Sequence, residues 1–262
     1  MNDFIKTENR EGVLLIGINR PEARNAFTWD MFIALSKAYG ELESDSTAKV
    51  GLLYAEGKHF TMGLDLADVS EKMKEERGFP LYPGAPDPHD LDIQAPKRTK
   101  PLIFAAQGFC FTLGIDLLLA SDVRFAASNT IFSQFEVGRG LMPLGGSTLR
   151  FPKVSGKANA LRYMLTGDQF DANEAYRLGL VQGIFPTREL FDQSYAYALR
   201  IAKQSAPLAV REMLGAIRFS EGNINNISQD ILNRGLVLLE SEDFEEGVRS
   251  FVEKRAPRFK GK

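Results

Sequence analysis

Hydrophobic residues along the chain occur either in short continuous runs or at helical spacing. Continuous apolar runs predict buried strands at residues 13–18, 50–54, 101–106 and 123–126. Apolar residues three and four apart predict a helix over residues 29–42, with Thr28 as its N-cap residue. Because strands and helices alternate, the pattern predicts parallel strand pairing and an α/β fold.

The pattern changes after Gly156, where helical spacing becomes almost continuous. Helices are predicted at residues 157–167, 172–180, 188–202, 207–219, 231–239 and 244–252. A single apolar run, residues 181–185, predicts one more strand among them. We therefore expect a core domain over residues 1–200 and a helical C-terminal region over residues 201–262.

The stretch from residue 105 to residue 147 combines apolar surroundings with two acids. Residues 112–121 predict a short helix that is apolar all round and hence buried, and this helix contains Asp116. Glu136 follows the aromatic residues Phe132 and Phe135 and precedes a glycine-rich segment. Two buried carboxyls that face one cavity have shifted pKa values and suit proton transfer. The alternative is that Asp116 is paired inside the core and Glu136 is a solvated loop residue.

Residues 71–100 differ from the rest of the chain in composition. The segment begins with a charged run and continues through a proline-rich, acidic stretch. A long loop in a compact domain is usually functional or mobile. It is predicted to be a lid or rim over a pocket, and a disordered insertion is the alternative.

Composition excludes several classes of function. The chain has 262 residues, 44% of them hydrophobic and 25% charged, with a net charge of −2. This net charge lacks the positive excess that is typical of nucleic-acid-binding proteins. The single cysteine, Cys110, precludes an internal disulfide and fits a reducing compartment. No apolar stretch reaches membrane-spanning length, and the first twelve residues do not resemble a leader, so a cytoplasmic location is expected. With two histidines and one cysteine, the sequence predicts no metal site.

Motifs along nearly the whole chain resemble those of the crotonase, or enoyl-CoA hydratase/isomerase, superfamily. The segments that carry the resemblance are INRPEARNAF, GKHFTMGLDL, QGFCFTLGIDLLLASDVRFA, FSQFEVGRGLMPLGGSTLR, LTGDQFDANEAYRLGLV and FVEKRAPRFKGK. The family fold is a Clp protease/crotonase-like spiral of β-β-α turns with a C-terminal helical trimerisation region. The resemblance implies an acyl-CoA substrate, no cofactor, and a homotrimer or dimer of trimers.

The resemblance also implies roles for particular residues. It assigns the backbone N–H groups of Met62 and Leu113 to an oxyanion hole, which stabilises negative charge on a thioester oxygen. It assigns the catalytic acids to Asp116 and Glu136. The residues that it implies for binding the CoA substrate are Arg24, Met62, Gly63, Leu64, Asp65, Phe251 and Lys254. In related trimers, residues that match the last two reach the CoA of a neighbouring subunit.

Two departures from the family pattern leave the reaction open. Asp116 stands where hydratases have glutamate, which retracts the carboxylate by about 1.5 Å, and Phe-Thr-Leu-Gly stands where glycines are usual. Aspartate resembles the dienoyl-CoA isomerases, but those carry a further acid where this chain has Leu144, and simple enoyl-CoA isomerases keep mainly the second acid. We therefore expect an enoyl-CoA hydratase. An enoyl- or dienoyl-CoA isomerase is the alternative, and a non-catalytic module that binds acyl-CoA or RNA is a third possibility.

Overall fold

A computed structural model describes residues 4–91, 94–220, 232–233 and 235–255 of the chain. Its strands are β1 (Ile5–Arg10), β2 (Val13–Ile18), β3 (Val50–Ala55), β4 (Leu102–Ala106), β5 (Phe109–Phe111), β6 (Val123–Ala127), β7 (Ile131–Ser133), β8 (Phe170–Asp171) and β9 (Gly183–Phe185). Its helices are α1 (Trp29–Ser44), α2 (Leu66–Glu76), α3 (Leu113–Leu119), α4 (Ser147–Ser155), α5 (Lys157–Met164), α6 (Ala172–Arg177), α7 (Leu190–Gln204), α8 (Pro207–Ser220) and α9 (Glu242–Val252). Two short 3₁₀ turns lie at Pro21–Ala23 and Glu136–Arg139.

The strands form two sheets in the described part of the chain. The larger sheet has the order β1-β2-β3-β4-β6-β9, and the smaller one has the order β5-β7-β8. In the larger sheet every neighbouring pair is parallel except β1 and β2. Successive strands from β2 to β6 therefore require crossovers, which the intervening helices and the smaller sheet provide. The predicted α/β class with parallel pairing is confirmed.

Burial explains which strands the sequence predicts. All six residues of β2 are buried, so its apolar run is continuous. In β1 only Ile5 is buried, because this strand is at the edge of the sheet with its other residues exposed. That strand was not predicted, since its sequence IKTENR is mostly polar.

The helical C-terminal half is largely as predicted. Helix α7 packs against β2, β3, β4 and β6, and thus covers one face of the larger sheet. The domain boundary predicted at residue 200 falls inside this helix. Helix α4 was not predicted, and it contains Pro152. Of the helix predicted at residues 231–239, residues 232–233 and 235–239 are helical, whereas residues 231 and 234 lie outside the described part.

Helix α3 is buried and carries the predicted acid Asp116. All seven of its residues are buried, as its apolar sequence predicts. It follows β5 through Thr112, whose φ of 48° lies in the left-handed region. This sharp turn between a strand and a helix brings Asp116 onto the first turn of α3, beneath the Ser147 end of α4.

Candidate active site

A single cavity contains both predicted acids. It encloses about 560 Å³, part of it continuous with solvent. Its lining residues are Met62, Leu64, Leu66, Phe79, Thr112, Leu113, Asp116, Phe135, Glu136, Arg139, Leu141, Met142 and Leu144. The wall is mostly apolar and carries two carboxyls and one guanidinium, which is the composition of a small-molecule site.

Asp116 is buried and fixed by helix α4. Its Oδ1 accepts hydrogen bonds from the backbone N–H of Ser147, at 2.9 Å, and from the hydroxyl of the same residue, at 2.5 Å. Burial raises the pKa of Asp116, and the facing His89, the Ser147 hydrogen bonds and Arg150 oppose that effect. The carboxyl therefore has one oxygen held by the protein and enough basicity to accept a proton from a neighbour.

Glu136 also lines the cavity, at the start of a 3₁₀ turn. Burial in this mostly apolar wall, together with the nearby charge of Asp116, raises the pKa of Glu136 well above its ordinary value. A carboxyl with a raised pKa keeps its proton to a higher pH than a free glutamate does, which suits a general acid. The pair thus combines two groups whose environments favour proton exchange with a bound molecule.

The two acids are connected by side chains that the sequence analysis did not identify. Gln134 and Ser147 are both fully buried between them. One end of the Gln134 amide lies 2.5 Å from Ser147 Oγ. Its other end lies 2.6 and 2.9 Å from the two carboxyl oxygens of Glu136. Two sequence features could have pointed to these residues. Gln134 precedes Glu136 by two residues, and Ser147 begins a helix after a glycine pair.

The two predicted oxyanion donors differ in the structure. Leu113 is the first residue of α3, where a backbone N–H has no partner within its own helix, and no other described residue accepts from it. The N–H of Met62 donates to the carbonyl oxygen of Arg24 at 3.1 Å. Both residues line the cavity. Leu113 therefore presents an open donor, and Met62 presents one that is already engaged.

Thr112 occupies space that is available only because residue 63 is glycine. A Cβ on Gly63, whose φ is +98°, would lie 2.0 Å from Thr112 Oγ1. The threonine stands in the Phe-Thr-Leu-Gly sequence where the family usually has glycines, and it lines the cavity. A residue with a Cβ at position 63 would therefore displace Thr112.

The remaining residues predicted to bind substrate lie at different distances from the cavity. Leu64 lines it. Asp65 does not line it, because its carboxylate forms an ion pair with Arg20 at 2.8 Å and the residue is the N-cap of α2. Arg24 is exposed, has a φ of 51°, and contributes its carbonyl oxygen to the Met62 contact described above.

Phe251 and Lys254 lie at the C-terminal end of the described chain. Phe251 is 58% exposed, and its ring lies 4.8 Å from the guanidinium of Arg139, which lines the cavity. Helix α9 packs on the turn Glu136–Arg139 of its own chain. Lys254 is exposed, with a φ of 53°. These contacts place Phe251 at the rim of its own cavity, and contact with a neighbouring subunit's CoA stays a prediction.

The predicted loop over residues 71–100 contributes to the cavity through Phe79. Its first six residues belong to α2, and its proline-rich part is anchored on α1 by two hydrogen bonds to Ser36. His89 and Leu91 in this loop are buried. The loop is therefore a packed rim in the described residues, which agrees with the predicted rim and disagrees with a disordered insertion.

Among the described residues, no group of three or more histidine, cysteine, aspartate or glutamate residues is arranged to hold a metal ion. Within the same residues, no helix is both long and apolar enough to span a membrane.

Comparison with known proteins identifies the family. The family model described as enoyl-CoA hydratase/isomerase matches residues 8–262. Enoyl-CoA hydratase EchA19 of Mycobacterium tuberculosis is 31% identical over 258 residues, covering 97% of this chain and 96% of that protein. The 2,3-dehydroadipyl-CoA hydratase of Escherichia coli is 31% identical over 273 residues, covering all of both chains. A probable enoyl-CoA hydratase/isomerase from Mycobacterium abscessus has a solved structure that aligns with a TM-score of 0.79 at 39% identity, covering 99% of each chain.

The chain belongs to the enoyl-CoA hydratase/isomerase family. The predicted crotonase fold, with its spiral of β-β-α turns and C-terminal helices, is confirmed by the solved structures of this family that align with the chain. The protein is thus an enzyme of a family whose members act on acyl-CoA thioesters, and the cavity with its two acids is the candidate site of that chemistry.

Proposed function

We propose that the protein adds water across the double bond of a 2-enoyl-CoA. The observation that carries this proposal is the placement of Asp116 and Glu136 on one cavity, each with a raised pKa. Hydration needs a base to take a proton from water and an acid to give one to the α carbon. A cavity with two such carboxyls supplies both functions without a metal or a redox cofactor.

The proposed mechanism uses the donors and acids in a fixed order. The thioester oxygen accepts a hydrogen bond from the N–H of Leu113, and from Met62 once its contact with Arg24 opens. Water attacks the β carbon and loses a proton to one carboxyl, while negative charge gathers on the thioester oxygen. The other carboxyl then protonates the α carbon. One oxyanion donor is worth about 3–4 kcal/mol in such a step.

The isomerase alternative rests on the identity of residue 116. Aspartate at this position resembles the dienoyl-CoA isomerases, whereas hydratases have glutamate. The third acid of those isomerases is replaced here by Leu144, and this leucine lines the cavity. An apolar side chain at that place supports the hydratase over the dienoyl-CoA isomerase. The two retained acids argue against the non-catalytic module.

The assembly and location are part of the same proposal. We expect a homotrimer or a dimer of trimers in the cytoplasm, because the family resemblance implies that assembly. Helix α8 supports it, since Met213 and Ile217, four residues apart and hence on one face of this helix, are each more than half exposed. Large apolar side chains grouped on a surface helix are typical of an interface.

Mass spectrometry of a panel of unsaturated acyl-CoA esters tests the reaction. Incubation with the protein should add one water to a 2-enoyl-CoA. A moved double bond at unchanged mass would instead establish the isomerase, and the absence of turnover across the panel would contradict both activities.

Substitution of the acids tests the mechanism. Asp116→Asn and Glu136→Gln should each lower kcat by at least about 100-fold, the usual effect of removing a positioned acid or base. Asp168→Asn and Glu189→Gln are matched controls, because Asp168 is exposed, Glu189 is partly exposed and neither residue lines the cavity, and they should retain the parent's kcat. Near-normal turnover by Asp116→Asn would show that Glu136 works alone.

A further inference from the structure

The two acids are joined by an unbroken series of close polar contacts. Ser147 Oγ is 2.5 Å from Asp116 Oδ1 and 2.5 Å from the Gln134 amide. The far end of that amide lies 2.6 and 2.9 Å from the oxygens of Glu136. We call Ser147 and Gln134 together the bridge. Both residues are buried. If two of these polar atoms face each other without a hydrogen between them, bulk water therefore cannot supply the missing hydrogen bond.

The hydrogens available to the bridge are fixed by its chemistry. A serine hydroxyl has one proton to donate, and a glutamine amide donates only from its nitrogen. When the amide nitrogen faces Ser147, the hydroxyl donates to Asp116. The amide oxygen then faces Glu136, and this contact is a hydrogen bond only when Glu136 carries a proton.

The opposite orientation of the amide reverses these requirements. Its nitrogen donates to the Glu136 carboxylate and its oxygen accepts the Ser147 hydroxyl. Ser147 Oγ then has no hydrogen left for Asp116, so the contact between them requires a proton on Asp116. With both acids ionised, either orientation leaves one pair of buried oxygens in contact without a hydrogen, which is unfavourable.

We propose that Asp116 and Glu136 hold a single proton between them, and that the bridge allows either acid to carry it by reversing the Gln134 amide. Gln134 and Ser147 are thus positioning residues that set the protonation of the pair. During hydration, one acid receives a proton from water and the other gives its proton to the α carbon. The O–H and C=C π bonds break, the C–O and C–H bonds form, and the pair still holds one proton afterwards.

The charges around the pair are compatible with this arrangement. His89 and Arg150 face Asp116, and burial lowers the pKa of His89, so the imidazole is neutral at pH 7. Arg139 lines the cavity beside Glu136. Burial raises the pKa of both acids, which agrees with one proton being retained at neutral pH.

Infrared spectroscopy of the ligand-free, full-length protein tests the shared proton without any substrate. The C=O stretching band of a protonated carboxyl is separate from the bands of carboxylates. At pH 7 the parent should show one protonated carboxyl, and the double variant Asp116→Asn/Glu136→Gln should lose it. No such band in the parent, two of them, or a band that survives in the double variant would overturn the proposal. Because no turnover is measured, failure here is distinct from failure of the proposed hydratase activity.

Kinetics of bridge variants give an independent readout. Ser147→Ala removes the hydroxyl that connects Asp116 to Gln134 and should lower kcat at least about tenfold, the effect of losing one hydrogen bond to a charged group. Ser147→Thr keeps the hydroxyl and should restore both the rate and the infrared band. KM should change little, because the bridge lies behind the acids. An equal loss in the alanine and threonine variants would contradict the bridge.

Discussion

His89 shows how burial acts on one residue. Its ring packs against Phe79 and Phe32, at centroid distances of 4.5 and 5.7 Å. Its Nδ1 is 3.7 Å from Asp87, and its Nε2 has no hydrogen-bond partner among the described residues. Burial lowers the pKa of this histidine, although Asp87 and Asp116 oppose the effect. The sequence could not reveal this, since His89 lies in a stretch that has no periodic pattern.

The lowered pKa predicts how stability depends on pH. Above the unfolded pKa of about 6.5 the imidazole is neutral in both states, so the titration of His89 does not affect stability there. As the pH falls below that value, the unfolded chain binds a proton that the folded chain resists, and stability decreases by up to about 1.4 kcal/mol per pH unit. His89→Phe should therefore raise the melting temperature relative to the parent at pH 5.5 more than at pH 7. All other titrating groups are common to both proteins. An equal difference at the two pH values would contradict this account.

At the scale of elements, prediction from sequence succeeds where burial is uniform. Strand β2 and helix α3 are buried on all sides, and both appear as continuous apolar runs. Strand β1 pairs at the edge of the sheet and exposes nearly all its side chains, so its polar sequence carries no strand signal. The bridge between the acids was missed for another reason. Gln134 and Ser147 meet only through folding, and no local pattern predicts the pairing.

The loop at residues 78–91 is connected to helix α1 through the side chain of Ser36. Ser36 on α1 is fully buried. Its hydroxyl donates to the carbonyl oxygen of Pro86 at 3.0 Å and accepts from the N–H of Tyr82 at 3.1 Å. One side chain thus satisfies two backbone groups of the loop.

Ser36→Ala should loosen this loop without unfolding α1. The substitution leaves the Tyr82 N–H and the Pro86 carbonyl without their partner, a cost of about 1–3 kcal/mol for a buried group. Limited proteolysis should cleave within residues 77–91 faster than in the parent, and saturating acyl-CoA should slow that cleavage. Ser44→Ala on the same helix is the matched control, because Ser44 is exposed and bonds only within α1. Parent-like cleavage of Ser36→Ala would show that the loop is held by its other contacts.

At the scale of the whole molecule, Asp122 joins the sheet core to the C-terminal helices. Its carboxylate accepts from Arg98 at 2.6 Å, from the backbone N–H of Leu102 at 2.7 Å and from Arg218 on α8 at 3.2 Å. Arg98 also donates to the carbonyl oxygens of Lys100 and Ala120. The predicted division near residue 200 is therefore crossed by the partly buried ion pair between Asp122 and Arg218, and α9 crosses it again by packing at the cavity rim. Sequence periodicity describes each helix but contains no information about these long-range contacts.

Asp122→Asn should destabilise the whole protein in a pH-dependent way. Burial alone would raise the pKa of Asp122, but Arg98 and the other donors outweigh it and lower that pKa. Its contribution to stability is therefore present above the unfolded pKa of about 3.9 and is lost as the pH falls through the lower folded value. At pH 7 the variant leaves the buried Arg98 uncompensated, which costs about 3–5 kcal/mol. Denaturant unfolding should show that loss at pH 7 and a smaller one near pH 3. Asp168→Asn, an exposed control, should change stability little at either pH. A cost for Asp122→Asn that is the same at both would mean that packing, and not the charge of Asp122, holds the C-terminal helices to the core.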